Sequence, residues 1–136
     1  MMRLTEELMT ASVLAPQSVD SGAVVTTATV DVSRAEEAAF VVACGQLAQG
    51  KSLTLTLVAS ATPDGADASQ IAQQVLTAEE LTDAPLAVVS YKPTALHGRY
   101  VAVQISHDSG AALMCGVTAQ LRQPVYPVER GWALEA

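Results

Sequence analysis

Both histidines of the chain lie in one stretch, LHGRYVAVQISHDSGAALMCGV, residues 96–117. His97 and His107 flank an alternating apolar run. Ten extended steps cover about 33 Å, so the two imidazoles are predicted at opposite ends of a sheet, where they cannot share a metal ion within one subunit. Neither they nor the cysteines show the CxxC or HxxxH spacing of zinc sites. The sequence therefore predicts no metal site.

A second possible chemistry is nucleophilic catalysis, because His107, Asp108 and Ser109 are the residue types of a hydrolytic triad. A triad needs its three side chains in contact, and adjacent positions are expected to point theirs apart. The chain has no GxSxG elbow and no glycine-rich phosphate or dinucleotide loop. The paired acids at 36–37 and 79–80 predict solvated faces rather than an acid–base pair. We therefore predict no catalytic residue and no cofactor, and we do not expect an enzyme.

The remaining candidates are Arg99, Tyr100 and two cysteines. Arg99 could grip a ligand, but we favour an arginine that pairs with an acid across a sheet edge while Tyr100 packs on the second face. Cys44 and Cys115 each sit in an apolar run. They could be bridged, but two buried, unreactive and unbridged thiols are the expectation.

The charge balance is acidic, with 14 Asp and Glu against 7 Lys and Arg and a net charge of −7. No basic stripe is present to displace counterions from phosphates, so nucleic acid is not an expected partner. No apolar run reaches the roughly 20 residues of a membrane span, so no membrane partner is expected either. Glu6 and Glu7 interrupt the stretch that would form the apolar region of a signal peptide.

The elements that must position these residues are mostly strands. Leu53, Leu55 and Leu57 alternate with polar neighbours, which is the period of a half-buried strand. Further strands are predicted at 24–32, 39–45, 86–92, 98–106 and 112–123. The spacing of strands and turns predicts an all-β fold, a single antiparallel β-sandwich or jelly-roll-like domain, with a short N-terminal helix or arm and an extended C-terminal tail.

The predicted organisation is an N-terminal arm at 1–19, a sandwich domain at 20–127 and a C-terminal tail at 128–136. Residues 4–12 are predicted to form a short helix that lies outside the core. Residues 68–81 fit either a helix with Ile71 and Val75 on one face or an irregular strand. Gly116, inside the last strand, predicts a bulge or a close backbone approach.

The order of these motifs resembles a group of small structural proteins of tailed bacteriophages and prophages, the capsid decoration or cement proteins. VDVSRAEEAAFVVACG comes first, followed by an LTLT strand with a Pro-Asp-Gly turn, then Gly-Arg-Tyr-Val, and a last strand that closes on LRQPV. The resemblance covers roughly residues 20–127. It implies a β-sandwich on the capsid surface of a virion, bound to the major capsid protein and to copies of itself as a homotrimer. It also implies that the GRYV strand is a packing element.

Assembly contacts are predicted at the two termini, where large apolar groups have no evident place in the sandwich. Tyr126 and Trp132, with arginines nearby, have the composition of a binding hot spot. The predicted contact residues are Leu4, Leu8, Tyr126, Arg130, Trp132 and Leu134. The alternative hypothesis is a β-sandwich binding module, for carbohydrate or for another tail or neck component of a phage.

Overall fold

The computed structural model of the protein describes residues 7–82, 86–94 and 96–123. Within these ranges the elements, in chain order, are β1 (Leu8–Val19), β2 (Val25–Thr26), β3 (Val30–Asp31), β4 (Glu37–Cys44), β5 (Ser52–Ser60), β6 (Ser69–Thr77), α1 (Ala78–Thr82), β7 (Leu86–Tyr91), β8 (Tyr100–His107) and β9 (Leu113–Arg122). No helix of the described residues is long and apolar enough to cross a membrane.

The described residues form two antiparallel sheets. The first sheet has the order β1-β9-β4-β7, and the second has the order β2-β8-β5-β6, with β3 also paired to β8. This architecture confirms the predicted all-β sandwich. The predicted 39–45 strand, apolar on both faces, becomes β4 and lies between β9 and β7, as its composition indicated.

The core lies between the two sheets and follows the alternation read from the sequence. Leu53, Leu55 and Leu57 of β5 are at most 3% exposed, and Phe40 of β4 is fully buried. The inward side chains of β8 are opposite the leucines of β5 in register. Burying one such side chain stabilises the fold by roughly 1.5–3 kcal/mol, so the inward faces of β4, β5 and β8 hold the sheets together.

The helix predicted over 4–12 is wrong from Leu8 onward. Leu8–Val19 is a 12-residue strand that pairs antiparallel with β9. Its Leu14 and Val19 belong to the core, at 8% and 1% exposure. The helical spacing of Leu4, Leu8 and Ala11 is a weak local preference, and pairing with β9 outweighs it. The predicted arm is therefore an edge strand over its described part, from Leu8.

The predicted close approach at Gly116 is confirmed. The register of β1 against β9 shifts between Ser12 and Leu14 and again between Leu14 and Gln17. A β-carbon added at Gly116 would lie 3.4 Å from the Cα and Cγ of Pro16. Proline and register shifts are typical of an edge strand that resists pairing with another chain.

The predicted 24–32 strand is divided into β2 and β3, both paired with β8. Between them, the backbone N–H of Thr27 donates to the carbonyl of Val103, and Thr27 Oγ1 accepts from the N–H of Val103. The next N–H, that of Ala28, donates to the carbonyl of Val13 in the first sheet, at 2.9 Å. The segment therefore links both sheets instead of forming one continuous strand.

The ambiguous 68–81 segment contains both elements in succession, strand β6 and then helix α1. The change occurs at Thr77, whose N–H donates to Glu80 Oε1 at 3.2 Å while Thr77 Oγ1 accepts from the N–H of Glu80 at 3.4 Å. This reciprocal pair is a capping box, which fixes a helix start. Leu81, 8% exposed, then anchors the helix to the core.

Candidate interaction surfaces

His107 and Ser109 are in contact, which corrects the prediction that these side chains point apart. His107 is 4% exposed. Its Nδ1 lies 2.8 Å from Ser109 Oγ, and its Nε2 lies 2.7 Å from the carbonyl of Val19. Asp108 does not join them, because it accepts hydrogen bonds from the N–H and hydroxyl of Ser52. A carbonyl thus occupies the place of a triad carboxylate, and the imidazole ties β1 to the turn after β8.

His97 lies before the start of β8, at the end opposite His107. Its Nδ1 is 3.0 Å from the hydroxyl of Tyr91 and 3.2 Å from Thr94 Oγ1. The two histidines therefore serve separate local networks. Among the described residues, no group of three or more His, Cys, Asp or Glu side chains is arranged to hold a metal ion.

Arg99 pairs with Asp31, the partner type expected from the sequence. Arg99 Nη2 lies 2.6 Å from Asp31 Oδ2, and Arg99 Nε lies 3.3 Å from Oδ1. The guanidinium also lies 5.2 Å from the ring centroid of Tyr100. The hydrogen bonds from Arg99 hold the pKa of Asp31 well below its usual range. The guanidinium of Arg99 and the carboxylate of Asp31 are paired with each other, so Arg99 links β3 to the start of β8.

The two cysteines are direct partners in the register of β4 and β9, and both are free thiols. Burial raises the pKa of Cys115 to about 11, with a further contribution from the neighbouring Cys44 thiol. Burial also raises the pKa of the half-buried Cys44. A high pKa leaves little thiolate at neutral pH, so both groups are poor nucleophiles.

A cleft of about 440 Å³ lies on the outer face of the second sheet. Its floor comes from β5 and β8, and its rim from the segment after β2 and the turn after β5. The lining includes Thr26, Ser60, Asp64, Tyr100 and Gln104. Tyr100 is the aromatic side chain of this lining, so the cleft offers hydroxyls, an amide and one ring.

The turn after β5 is held over this cleft by short polar contacts. Thr29 Oγ1 donates to the carbonyl of Pro63 at 2.6 Å, and Thr62 Oγ1 donates to Asp64 at 2.6 Å. Ser60 hydrogen-bonds to Asp67. These side-chain hydrogen bonds lower the pKa values of Asp64 and Asp67. The turn is therefore anionic at neutral pH and built by its own residues.

The outer face of the first sheet carries no charge across the middle of β4, β7 and β9. The register places Val41 beside both Val88 and Thr118. Leu86 and Val88 are 55% and 62% exposed. We call this surface the neutral face; its outward residues are Ala39, Val41, Ala43, Leu86, Val88, Ser90, Gly116, Thr118 and Gln120. In an acidic chain, such a surface can be covered by another protein without burying an unpaired charge.

Strand β6 is a second uncharged surface, at the edge of the second sheet. Its nine residues, SQIAQQVLT, contain neither a charged side chain nor a proline. Proteins usually protect a long edge with lysine, proline or a very short strand. We call β6 the neutral edge. The absence of charge in β6 can be read from the sequence. The sequence pattern does not identify it as a strand edge, because residues 68–81 fit a helix as well as a strand.

The predicted assembly contacts are for the most part outside the described residues, namely Leu4, Tyr126, Arg130, Trp132 and Leu134. Leu8 is described: it is partly buried at the start of β1, opposite Arg122 of β9. It therefore takes part in the first sheet.

No protein-family model matches the chain, and no curated protein sequence matches it. Among solved structures, the PBSX exported protein XepA is similar, with a TM-score of 0.62 and 8% identity. The match spans all of this chain and 44% of XepA, so the chain covers less than half of that protein. At this identity the likeness shows a shared fold.

Two further solved structures are more distant. A structure reported with Bacillus endospore appendages, described as disulfide-linked pili, has a TM-score of 0.49 and 11% identity, over 87% of this chain and 89% of that one. The CBM22-1–GH10 modules of Clostridium thermocellum endo-1,4-β-D-xylanase 10B have a TM-score of 0.42 and 11% identity, over 84% of this chain and 26% of the other.

Proposed function

We propose that this chain is a non-enzymatic structural protein of a tailed-phage particle. It binds the outside of the capsid, stabilises contacts between major capsid subunits and associates with copies of itself. Its location is the virion, at the capsid surface. The order of motifs that resembles decoration proteins supports this proposal, and the sandwich fold is compatible with it.

The observation that carries the proposal is the neutral face. Val88 and Leu86 are more than half exposed on a regular sheet, with Val41 beside them. A rigid, uncharged sheet face covers a seam between subunits at low desolvation cost, because it brings no carboxylate or ammonium group out of water. The acidic groups of the turns remain in solvent and keep the free protein soluble.

The test is a charge placed on the neutral face. Val88→Glu is expected to weaken co-sedimentation with purified capsids by at least about tenfold, because its carboxylate would be buried without a partner. Val24→Glu is the matched control, since Val24 is 63% exposed and lies outside the neutral face, against 62% for Val88. Equal capsid binding by both variants would contradict the use of this face, and wild-type protein that does not bind capsids would contradict the proposal.

The terminal contacts remain part of the proposal. Tyr126, Arg130, Trp132 and Leu134 are expected to contact a neighbouring subunit. Loss of a hot-spot tryptophan costs roughly 2 kcal/mol or more. Trp132→Ala is therefore expected to weaken assembly more than tenfold while the melting temperature of the isolated subunit stays unchanged.

The cleft on the second sheet favours a second candidate, a sugar-binding module. Its hydroxyls, the Gln104 amide and the Tyr100 ring are group types that bind sugar hydroxyls and ring faces. A single aromatic side chain in the lining predicts weak binding, because ring stacking is a main source of affinity in sugar sites. A titration with soluble oligosaccharides, monitored through the NMR chemical shifts of Gln104 and Tyr100, distinguishes this function from capsid attachment.

A further inference from the structure

We propose that the neutral edge pairs with the neutral edge of a second copy, so that two second sheets join into one continuous antiparallel sheet. The inference deepens the self-association in the proposed function and does not depend on capsid binding. It rests on the directions in which the backbone N–H and C=O groups of β6 point, on the hydrogen bonds that these groups make, and on the absence of charged side chains from the strand.

The register shows which backbone groups of β6 face solvent. The N–H of Ala78 donates to the carbonyl of Lys51 at 3.0 Å, one step beyond the Ser52–Thr77 pair. Backbone groups alternate in direction along an antiparallel strand. The N–H and C=O groups of Gln73, Val75 and Thr77 therefore point away from β5, where the described residues place no neighbouring strand.

Two of these outward groups are satisfied by side chains. Glu80 Oε1 accepts from the N–H of Thr77 at 3.2 Å, as part of the helix cap. Gln74 Nε2 donates to the carbonyl of Val75 at 3.3 Å. A side-chain amide here takes the place of a backbone donor, which marks Val75 as a position where an incoming strand would donate. The groups available for pairing are the N–H and C=O of Gln73 and of Val75, with the incoming N–H replacing the Gln74 amide at the Val75 carbonyl.

These positions select one register for two identical strands. Gln73 of each copy pairs with Val75 of the other, which makes four backbone hydrogen bonds about a two-fold axis. Gln74 then lies opposite Gln74 of the second copy, in a position without backbone hydrogen bonds. An amide side chain both donates and accepts, so it can pair with an identical amide. The contact is self-complementary, as a two-fold interface must be.

The charge distribution favours a second copy as the occupant. Each chain has a net charge of −7, so association at a charged surface would oppose like charges. All nine residues of the neutral edge are uncharged. The half-exposed Val75 gains apolar contact in the joined sheet. The other edges are less suited: β1 contains Pro16 and register shifts, β2 has two residues, and β7 has six residues and is followed closely by Pro93.

This pairing closes after two copies, so it predicts a dimer rather than the trimer that the sequence resemblance implies. The first experiment is analytical ultracentrifugation of the full chain alone, comparing wild type, Gln73→Pro and Gln73→Ala. The N–H of Gln73 faces solvent in the subunit, so proline removes no bond to β5 and is tolerated at such an edge position. Gln73→Ala is the matched control, because both variants lose the 3.0 Å hydrogen bond from Gln73 Nε2 to Thr56 Oγ1.

The expected result is a wild-type dimer whose dissociation constant rises at least about tenfold in Gln73→Pro relative to Gln73→Ala. The second variant, Gln74→Cys, is expected to give a disulfide-linked dimer under mild oxidation. Gln70→Cys, beyond the register shift of β6, is expected to give none. A wild-type monomer or trimer, or a dimer unaffected by Gln73→Pro and not linked by Gln74→Cys, would overturn the pairing.

Capsid co-sedimentation separates this inference from the proposed function. A monomeric wild-type chain that still binds capsids would overturn the edge pairing and leave capsid attachment standing. A dimer that responds to Gln73→Pro but does not bind capsids would support the pairing and contradict capsid attachment.

Discussion

His107, Asp108 and Arg99 are residue types that often take part in catalysis or ligand binding. In this protein each of them makes a structural contact. His107 reaches the carbonyl of Val19, Asp108 accepts from Ser52, and Arg99 is bonded to Asp31. Each contact joins segments more than 50 positions apart in the chain. The polar chemistry of the 96–117 stretch therefore serves long-range attachment of strand ends.

Gly98 occupies a position that only a residue without a β-carbon fits. A β-carbon added there would overlap the backbone carbonyl of Ser60. We expect Gly98→Ala to lower the free energy of unfolding by about 2–4 kcal/mol, because backbone atoms must shift. Gly45→Ala is the control, since its β-carbon would meet Leu113 at an ordinary 3.6 Å. Urea denaturation measures both, and equal losses would contradict the clash.

The Asp31–Arg99 pair predicts a modest dependence of stability on pH. The pKa of Asp31 is lowered in the folded protein, so the pair stabilises the fold above the unfolded pKa of about 4 and loses this effect as the pH falls below it. Both side chains are about half exposed, so the contribution is at most about 1 kcal/mol. Asp31→Asn should lower the melting temperature slightly at pH 7, and the difference should shrink at pH 2. A constant difference would contradict this origin.

The cysteine pair predicts slow thiol chemistry in the folded state. Cys115 is 1% exposed with a pKa raised to about 11, and the pKa of Cys44 is raised as well. We expect little labelling by a thiol reagent in native protein and two free thiols after denaturation. Finding no free thiol after denaturation would establish a disulfide between these register partners.

At the scale of elements, the sequence predicts best where one face of a strand is fully buried. The leucines of β5 and the alternating residues of β8 are such cases, and both strands are found as predicted. β6 lies at an edge, where Gln74 stays exposed although it is opposite the buried Leu55. Its two faces therefore differ little, and periodicity cannot distinguish strand from helix.

The prediction for the N-terminal segment was wrong for a different reason. Its local pattern favours a helix, and the partner that makes it a strand, β9, lies about 100 residues away in the sequence. The candidate surfaces could be predicted only in part for the same reason. The neutral face combines residues of three strands, and its continuity depends on a register, such as Val41 beside Val88, that no local pattern specifies.

Strand β1 makes a clear prediction for truncation. Deleting residues 1–16 would remove Leu14 from the core and leave most of one side of β9 unpaired. We expect this variant to aggregate or to lose its cooperative thermal transition, because one edge of the first sheet would be exposed. This expectation follows because β1 belongs to the first sheet and is not an arm outside the core. A soluble, cooperatively melting variant would show that β1 is not needed for the fold.

At the scale of the whole molecule, the strands carry few charged residues. Strands β5, β6 and β7 carry no charged residue, and the charged positions of β3, β4 and β9 lie at their ends, at Asp31, Glu37 and Arg122. Among the described residues, Asp20, Asp64, Asp67 and Asp108 lie in the connections between strands. The described strands therefore present largely uncharged sheet surfaces, while the connections carry acidic groups, a distribution that favours association through the strands over association through the connections.

The pairing of β1 with β9 also determines when the protein can fold during synthesis. Strand β1 is synthesised about 100 residues before its partner, because Val19 pairs with Leu113 and Leu8 with Arg122. Until β9 emerges, β4 also lacks the neighbour between itself and β1. Folding rates fall as contacts span more of the chain. The nascent chain thus carries unpaired apolar strands from the synthesis of β1 until β9 emerges, and the first sheet is completed only after that point.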